Sequence, residues 1–361
     1  MKQLLVYSYF CPETPHRAGG VQQIEGALLR TLTESEGWTV SVLHTGPCYA
    51  TPTHFRFPEH SDIGQPDAVN PDILIEGARL MRTLAGDHDI VLSIDRLLPC
   101  PLPRPCVLMS NTLSYQTEAV AVQATQWARI IVPTAAFAKK VRALNPAVRV
   151  QVVPYGLPEE LFREAMSTPP AVWGDNPSIV RLPHRPDRRK GHHEAIEGLA
   201  RALPESQHVR LEISWLDEKR YASYRREIEY LAHQLGIAQQ ISFCGWLNGS
   251  ERWRAMAESC AVLQVGCFEE SFGLSIVESI LFGRPAVTRR QPAVKEIVGP
   301  TKLLLEVADP LEWYRALSAY WTHQIRRDSE ALDRHLITQL LSLERMAARY
   351  DCILTEAIQV L

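Results

Sequence analysis

Two glutamates, Glu270 and Glu278, flank the run Ser271-Phe272-Gly273-Leu274-Ser275-Ile276-Val277. An apolar stretch from Ala261 to Val265 precedes them, and another from Ile280 to Phe282 runs up to Gly283-Arg284-Pro285. The pattern predicts a strand, a glycine-containing loop and a short helix closed by Gly283 and Pro285. A helix N-terminus offers unpaired backbone N–H groups to an anion, and Gly273 lets the backbone come close to it. Carboxylates beside a phosphate would repel it, so the two glutamates are read as gripping hydroxyls. Phosphate and hydroxyls together are what a nucleotide-sugar presents. The competing chemistry is a general acid and base pair, as in a glycosidase.

The densest positive charge is Pro183-His184-Arg185-Pro186-Asp187-Arg188-Arg189-Lys190-Gly191-His192-His193. It lies between a predicted strand, Ser178 to Leu182, and a helix with Ala195, Ile196, Leu199, Ala200 and Leu203 on one face. Arginine supplies bidentate contacts and lysine a point charge, the combination a diphosphate needs. On spacing alone, a solvated basic loop would look the same. His192 and His193 are adjacent, so they point in different directions along a helix, and no third metal ligand accompanies them. Near the N-terminus, Gly19-Gly20 stands between a predicted strand (Leu4 to Ser8) and a helix carrying Val21, Ile24, Leu28, Leu29 and Leu32. That is a place for an anion or a closely approaching sugar, although glycine pairs are ordinary in loops. Asp87-His88-Asp89 precedes a strand, the wrong end for a ligand in an open α/β sheet.

These groups need a scaffold, and strands and helices alternate along the whole chain. Further strands are expected at Trp38 to Leu43, Ile90 to Ile94, Cys106 to Met109, Ile130 to Val132, Val150 to Val153, Val209 to Ile213 and Gln240 to Phe243. Helices are expected at Ala135 to Leu144, capped by Thr134, and at Glu251 to Glu258, with a helical C-terminal third from about Asp309. Such alternation implies an α/β protein with mainly parallel sheets. At 361 residues the chain suits two domains. The proline-containing segment from Pro154 to Pro170 reads as the boundary between them.

Hydrophobic residues at 46% and charged residues at 22% describe an ordinary globular composition. A net charge of −3 provides no broad field for nucleic acid or an anionic membrane. Eight cysteines without C-x-x-C spacing favour a reducing compartment over a disulfide framework. The first residues, Met1 to Ser8, are not read as a signal peptide, and no run of about 18 apolar residues is present. A cytoplasmic protein with at most peripheral membrane contact is expected.

Taken together, these residues resemble the GT-B retaining glycosyltransferases of family 4. The E-x7-E signature of that family is matched by Glu270-Ser271-Phe272-Gly273-Leu274-Ser275 through Glu278-Ser279, and its Arg-x4-Lys-Gly element by Arg185 through Lys190-Gly191. Gly19-Gly20-Val21 matches the first glycine loop, and Pro154-Tyr155-Gly156-Leu157 the entry to the linker. Leu343-Glu344-Arg345-Met346-Ala347 is similar to the helix that crosses back onto the N-terminal domain. Five such elements in order cover essentially the whole chain.

The resemblance implies two Rossmann-like domains facing across a cleft: residues 1–165 for the acceptor, 166–340 for the donor, and 341–361 as the returning helix. It further implies metal-independent transfer, with retention, from a nucleoside-diphosphate sugar to an acceptor hydroxyl. The donor would be a UDP- or GDP-sugar acting as co-substrate, with no cofactor, and the acceptor a small molecule or saccharide. Arg185 and Lys190 would neutralise the donor diphosphate, with the N–H groups around Phe272, Gly273 and Leu274 on its distal phosphate. Glu278 would hold the ribose, Glu270 the sugar, and the backbone around Cys244, Gly245 and Trp246 the base; Gly19 and Gly20 join the donor-binding set. Four departures stand out. No His follows the strand ending in Ser110-Asn111-Thr112, and Arg290-Gln291-Pro292-Ala293 replaces a Gly-Gly loop. Ser214-Trp215-Leu216-Asp217 replaces a glycine-rich turn, and prolines from Pro99 to Pro105 replace a helix. They motivate an alternative, a catalytically silent sugar-nucleotide-binding partner subunit. A phosphorylase-type enzyme is less favoured, because no cofactor-lysine loop is evident.

Overall fold

A computed structural model describes residues 2–8, 20–35, 37–44, 54–56, 71–98, 100–114, 116–169, 173, 177–217, 219–247, 249–322, 337 and 340–359. It divides into two compact units, one of residues 1–158 with 341–361 and the other of residues 159–340. The Tyr9 to Gly19 part of the first loop and Pro99 of the proline run lie outside the described residues.

The first unit runs β1 (Lys2–Ser8), α1 (Gly20–Ser35), β2 (Trp38–His44), β3 (His54–Arg56), α2 (Pro71–Gly86), β4 (Ile90–Ile94), β5 (Cys106–Met109), α3 (Gln116–Gln123), β6 (Arg129–Val132), α4 (Ala135–Leu144) and β7 (Val150–Val152). Its seven strands lie in the order β3-β2-β1-β4-β5-β6-β7, and their pairings are parallel. β4, β5 and β6 are buried along their whole lengths, as expected of a parallel sheet covered on both faces. Thr134 caps α4, its hydroxyl accepting from the Phe137 N–H at 3.2 Å.

The second unit runs α5 (Glu159–Ser167), β8 (Ser178–Leu182), α6 (His192–Arg201), β9 (Val209–Ser214), α7 (Ala222–Gln234), β10 (Ile241–Cys244), α8 (Gly249–Glu258), β11 (Ala261–Gln264), α9 (Leu274–Leu281), β12 (Ala286–Thr288), α10 (Pro292–Val298), β13 (Leu304–Glu306) and α11 (Trp313–Thr322). Its six strands, also parallel, lie in the order β10-β9-β8-β11-β12-β13. Val180, Leu182, Leu211, Ile213, Leu263 and Val287 build the core beneath the helices. Both units are therefore Rossmann-like α/β layers, the expected fold class.

The last helix, α12 (Leu343–Gln359), belongs to the first unit. It packs on α1, β4 and β5 through buried Met346, Ala347, Tyr350 and Leu354. Asp351 fastens it further, accepting from the Trp38 Nε1–H at 2.8 Å and pairing with Lys2. Three helices exceed expectation: α2, which starts at a proline, α3, and α5, which sits inside the proline-containing segment. Among the described residues no helix is long and apolar enough to cross a membrane.

Candidate ligand site at the second sheet

The strand order of the second sheet reverses between β8 and β11. Open parallel sheets take ligands at the carboxyl ends of the strands flanking such a point. The basic loop leaves β8 and the Glu270 loop leaves β11, so topology brings together two segments about eighty residues apart in sequence.

They meet backbone to backbone. Phe268 N–H donates to the Arg189 carbonyl at 2.8 Å, and Gly191, at φ +94°, lies against Gly266. A Cβ on Gly266 would stand 2.1 Å from the Arg189 carbonyl oxygen, and one on Gly191 2.3 Å from the Gly266 nitrogen. Neither position admits a side chain.

The loop's cations divide by partner. Arg188 pairs with both oxygens of Glu227, and His193 Nε2 lies 2.8 Å from the same carboxylate. The Arg188 hydrogen bonds chiefly, with those of His193, hold Glu227 down to about 2. Arg189 folds back on Asp187, which caps the short turn at Arg188–Lys190 by accepting from the Arg189 N–H at 2.9 Å. Burial raises the Asp187 carboxyl, but these Arg189 bonds outweigh it and leave the group below its ordinary value. Two cations remain. Arg185 is exposed and has no hydrogen bond or ion pair among the described residues. Lys190 Nζ lies 2.5 Å from Glu270 Oε1 and 3.4 Å from the centre of the Phe268 ring.

Glu270 is set by three neighbours. Its Oε1 also accepts from Gln264 Nε2, at the end of β11. Its N–H donates to Gln291 Oε1 at 3.1 Å, while Gln291 Nε2 donates to the Phe268 carbonyl at 2.9 Å. Gln291 thus clamps the loop from the segment where a Gly-Gly pair was expected. Glu270 Oε2 carries no bond among the described residues.

Gly273 opens α9 at φ +82°, and a Cβ there would meet Val294 Cγ2 at 2.5 Å. Its carbonyl accepts the Ile276 and Val277 N–H groups, both at 3.0 Å. The N–H groups of Gly273, Leu274 and Ser275 keep no partner among the described residues, which leaves them for an anion. The Phe272 side chain is core. Glu278, one turn into α9, is 2% exposed and pairs with Arg252 Nη2 of α8. Burial pushes its carboxyl up and the Arg252 charge pulls it down, leaving it above the ordinary range.

Lys190, Phe268 and Glu270 are thus in direct contact, with Arg185 and the α9 N-terminus supplied by the same two loops. Cys244 ends the edge strand β10 and Gly245 and Trp246 follow it; Cys244 Sγ lies 3.7 Å from Arg181 Nη1 and 3.8 Å from Ser214 Oγ. Gly20 opens α1 in the other unit, and Gly19 lies outside the described residues. Arg252, Gln264, Gly266 and Gln291 take part without having been singled out as site residues. Gln291 was visible only as a departure from the family pattern. The two histidines divide: His193 serves Glu227, whereas His192 is buried, bonded to the Tyr224 hydroxyl at 3.3 Å and held neutral by burial at about 4.

Residues 170–330 match the family model described as Glycosyl transferases group 1. A search of the curated proteins finds no match. Among solved structures, the chain is similar to sucrose-phosphate synthase from Thermosynechococcus elongatus, at 16% identity over 100% of each chain and a TM-score of 0.78. It is similar to a glycosyltransferase from Rickettsia africae ESF-5, at 16% identity over 99% of each chain and a TM-score of 0.75. It is also similar to Anabaena HepE in complex with UDP and glucose, at 15% identity, TM-score 0.74, over 99% of this chain and 100% of that one. At these identities the likeness establishes the GT-B fold.

Proposed function

We propose that this chain is a retaining, metal-independent glycosyltransferase of the family 4 type, moving a hexosyl group from a UDP- or GDP-sugar to an acceptor hydroxyl. The observation that carries it is the convergence of unpaired Arg185, Lys190 on Glu270, and the open N-terminus of α9 at one switch point. Arg185 and Lys190 neutralise the diphosphate as it leaves, and the Gly273 and Leu274 N–H groups, with that of Phe272, hold its distal phosphate. Charge developing on the leaving group meets donors already in place, where such groups are worth most. Glu270 offers Oε2 to sugar hydroxyls while Lys190 and Gln264 fix Oε1. Glu278, aligned by Arg252, takes the ribose, and the backbone at Cys244-Gly245-Trp246 faces the base. Front-face attack by the acceptor then retains configuration without an enzyme nucleophile. The family match over residues 170–330 and the UDP and glucose present in the HepE structure support a nucleotide-sugar donor. The setting we propose is the reducing cytoplasm, since the six described cysteines are free thiols.

Thermal-shift titration with UDP-, GDP-, ADP- and dTDP-sugars is the direct test, because a ligand of the native state raises the melting temperature. At least one should do so, and Lys190→Ala and Glu270→Ala should each lower turnover by about 100-fold or more. Near-normal turnover in both folded variants would sink the site assignment. Release of nucleoside diphosphate from the donor by the isolated chain excludes the silent-subunit alternative.

A further inference from the structure

The first sheet has its own switch point, between β1 and β4, and the side chains gathered at that end are of one chemical kind. Ser8 ends β1, Asp95 follows β4, and Glu25 stands on α1, the helix that β1 leads to. Glu25 is 2% exposed, and its Oε2 has no hydrogen-bond partner among the described residues. Burial first, and the Asp95 charge second, hold its carboxyl well above the ordinary value, against a hydrogen bond with Ser8.

Asp95 is half-buried at φ +53°, the one non-glycine residue in the left-handed region among those described. Asn111 fixes it there, donating its N–H to Oδ1 at 2.6 Å and its Nδ2 to Oδ2 at 2.9 Å. The Tyr155 hydroxyl donates to Asn111 Oδ1 at 2.5 Å. Asn111 belongs to the Ser110-Asn111-Thr112 segment after which no histidine follows, and it aims Asp95. The Glu118 charge of α3 raises Asp95 further, both carboxylates act on Tyr350 of α12, and Arg96 is the cation that acts on Asp95.

A carboxyl oxygen buried without a donor is costly, and native folds seldom leave one so. The same sheet shows the usual remedy at its other end, where Asp89 accepts the Gln3 N–H at 2.7 Å. At Glu25 that donor is lacking among the described residues, and a ligand hydroxyl would supply it. Two carboxyl groups, protonated or ionised, bring no positive charge to a phosphate but exchange hydrogen bonds with hydroxyls.

We propose that the Ser8–Glu25–Asp95 cluster binds a hydroxyl-rich, phosphate-free ligand end, with Asp95 Oδ atoms and Glu25 Oε2 taking its hydroxyls. Resting on the glycosyltransferase proposal, that end is the acceptor's, so the acceptor is a neutral sugar or polyol where it enters this unit.

Saturation-transfer NMR on the full-length chain tests it with glucose, galactose, mannose and myo-inositol, set against glucose 6-phosphate and galactose 1-phosphate. At least one neutral polyol should receive saturation. Its binding should weaken roughly ten- to a hundredfold in Asp95→Asn, as expected for a hydrogen bond to a charged group, and also fall in Glu25→Gln. Either near-isosteric variant suffices should the other fail to fold. No transfer to any neutral polyol, undiminished transfer in a folded variant, or preference for a sugar phosphate overturns the proposal. UDP-induced melting shifts, read on the same samples, should be unchanged by both substitutions. If no nucleotide binds but the polyol result holds, the donor reading falls and this site stands; the reverse pattern overturns this site alone.

Discussion

At the scale of single residues, the second unit's site depends on atoms that are absent as much as on those present. Gly266 and Gly191 let two loops touch through their backbones, and no side chain fits between them. Gly266→Ala should therefore force the Arg189 and Phe268 segments apart, costing about 2–3 kcal/mol. A denaturant midpoint will read that cost, and an unchanged midpoint would show that the loops part freely. Gly273→Ala adds a left-handed penalty of about 1–2 kcal/mol to the contact with Val294. It should also weaken nucleotide binding, since it displaces the N–H groups of α9. Arg252 is a different case. Removing its guanidinium leaves Glu278 buried without its partner, so Arg252→Ala should raise KM for the donor more than it lowers kcat. Arg252→Lys should restore part of the loss; equal losses in both parameters would mean that the pair acts on the transition state instead.

At the scale of elements, α12 closes the first unit by burying Met346, Ala347, Tyr350, Ile353, Leu354 and Ala357. Each large side chain among them contributes roughly 1.5–3 kcal/mol on burial. Their sum is comparable with the whole stability of a domain, about 5–15 kcal/mol. A chain ending at Leu340 should lose the first unit's melting transition while the second unit's persists, which calorimetry will resolve. Survival of both transitions would show α12 to be dispensable. Apart from β3 and β13, which were not expected, the strands and this helix were legible because a continuous apolar run such as Ile90–Ile94, or a stripe such as Met346, Tyr350 and Leu354, carries its own period. By contrast, α5 was hidden, because Pro154, Pro158, Pro169 and Pro170 around it read as linker, although Leu161, Phe162 and Ala165 form its buried face. Helix α2 was hidden by its opening Pro71 and by Gly77 within it. In the site, Lys190 and Glu270 could each be singled out in advance from charge type and motif spacing, but their contact with one another could not, since it joins loops that follow different strands. Arg252, Gln264 and Gly266 could not, because what they do depends on which strands become neighbours.

At the scale of the whole molecule, the two units bury opposite kinds of titrating group. In the second, His192 is held neutral at about 4, and burial holds His184 well below its ordinary value too. Unfolding lets both take protons below about 6.5. Their contribution is therefore fully present above that pH and is lost as pH falls toward 4. In the first unit Asp95 is pushed up to about 7, chiefly by burial, and Glu25 is raised in the same direction. Unfolding restores ordinary carboxyls, so their contribution is fully present below about 4 and is lost as pH rises through 7. The two melting transitions should consequently move apart as pH is lowered from 7 toward 4, the first unit's upward and the second's downward. UDP assigns them, because Arg185, Lys190, Glu270, Glu278 and the α9 N-terminus, the donor groups of the proposal, lie in the second unit, so that transition should rise most when UDP is added. Asp95→Asn should flatten the upward trend, and His192→Phe the downward one. Parallel movement of both transitions would mean that these four buried groups do not govern the pH response, and that charge spread over each surface does.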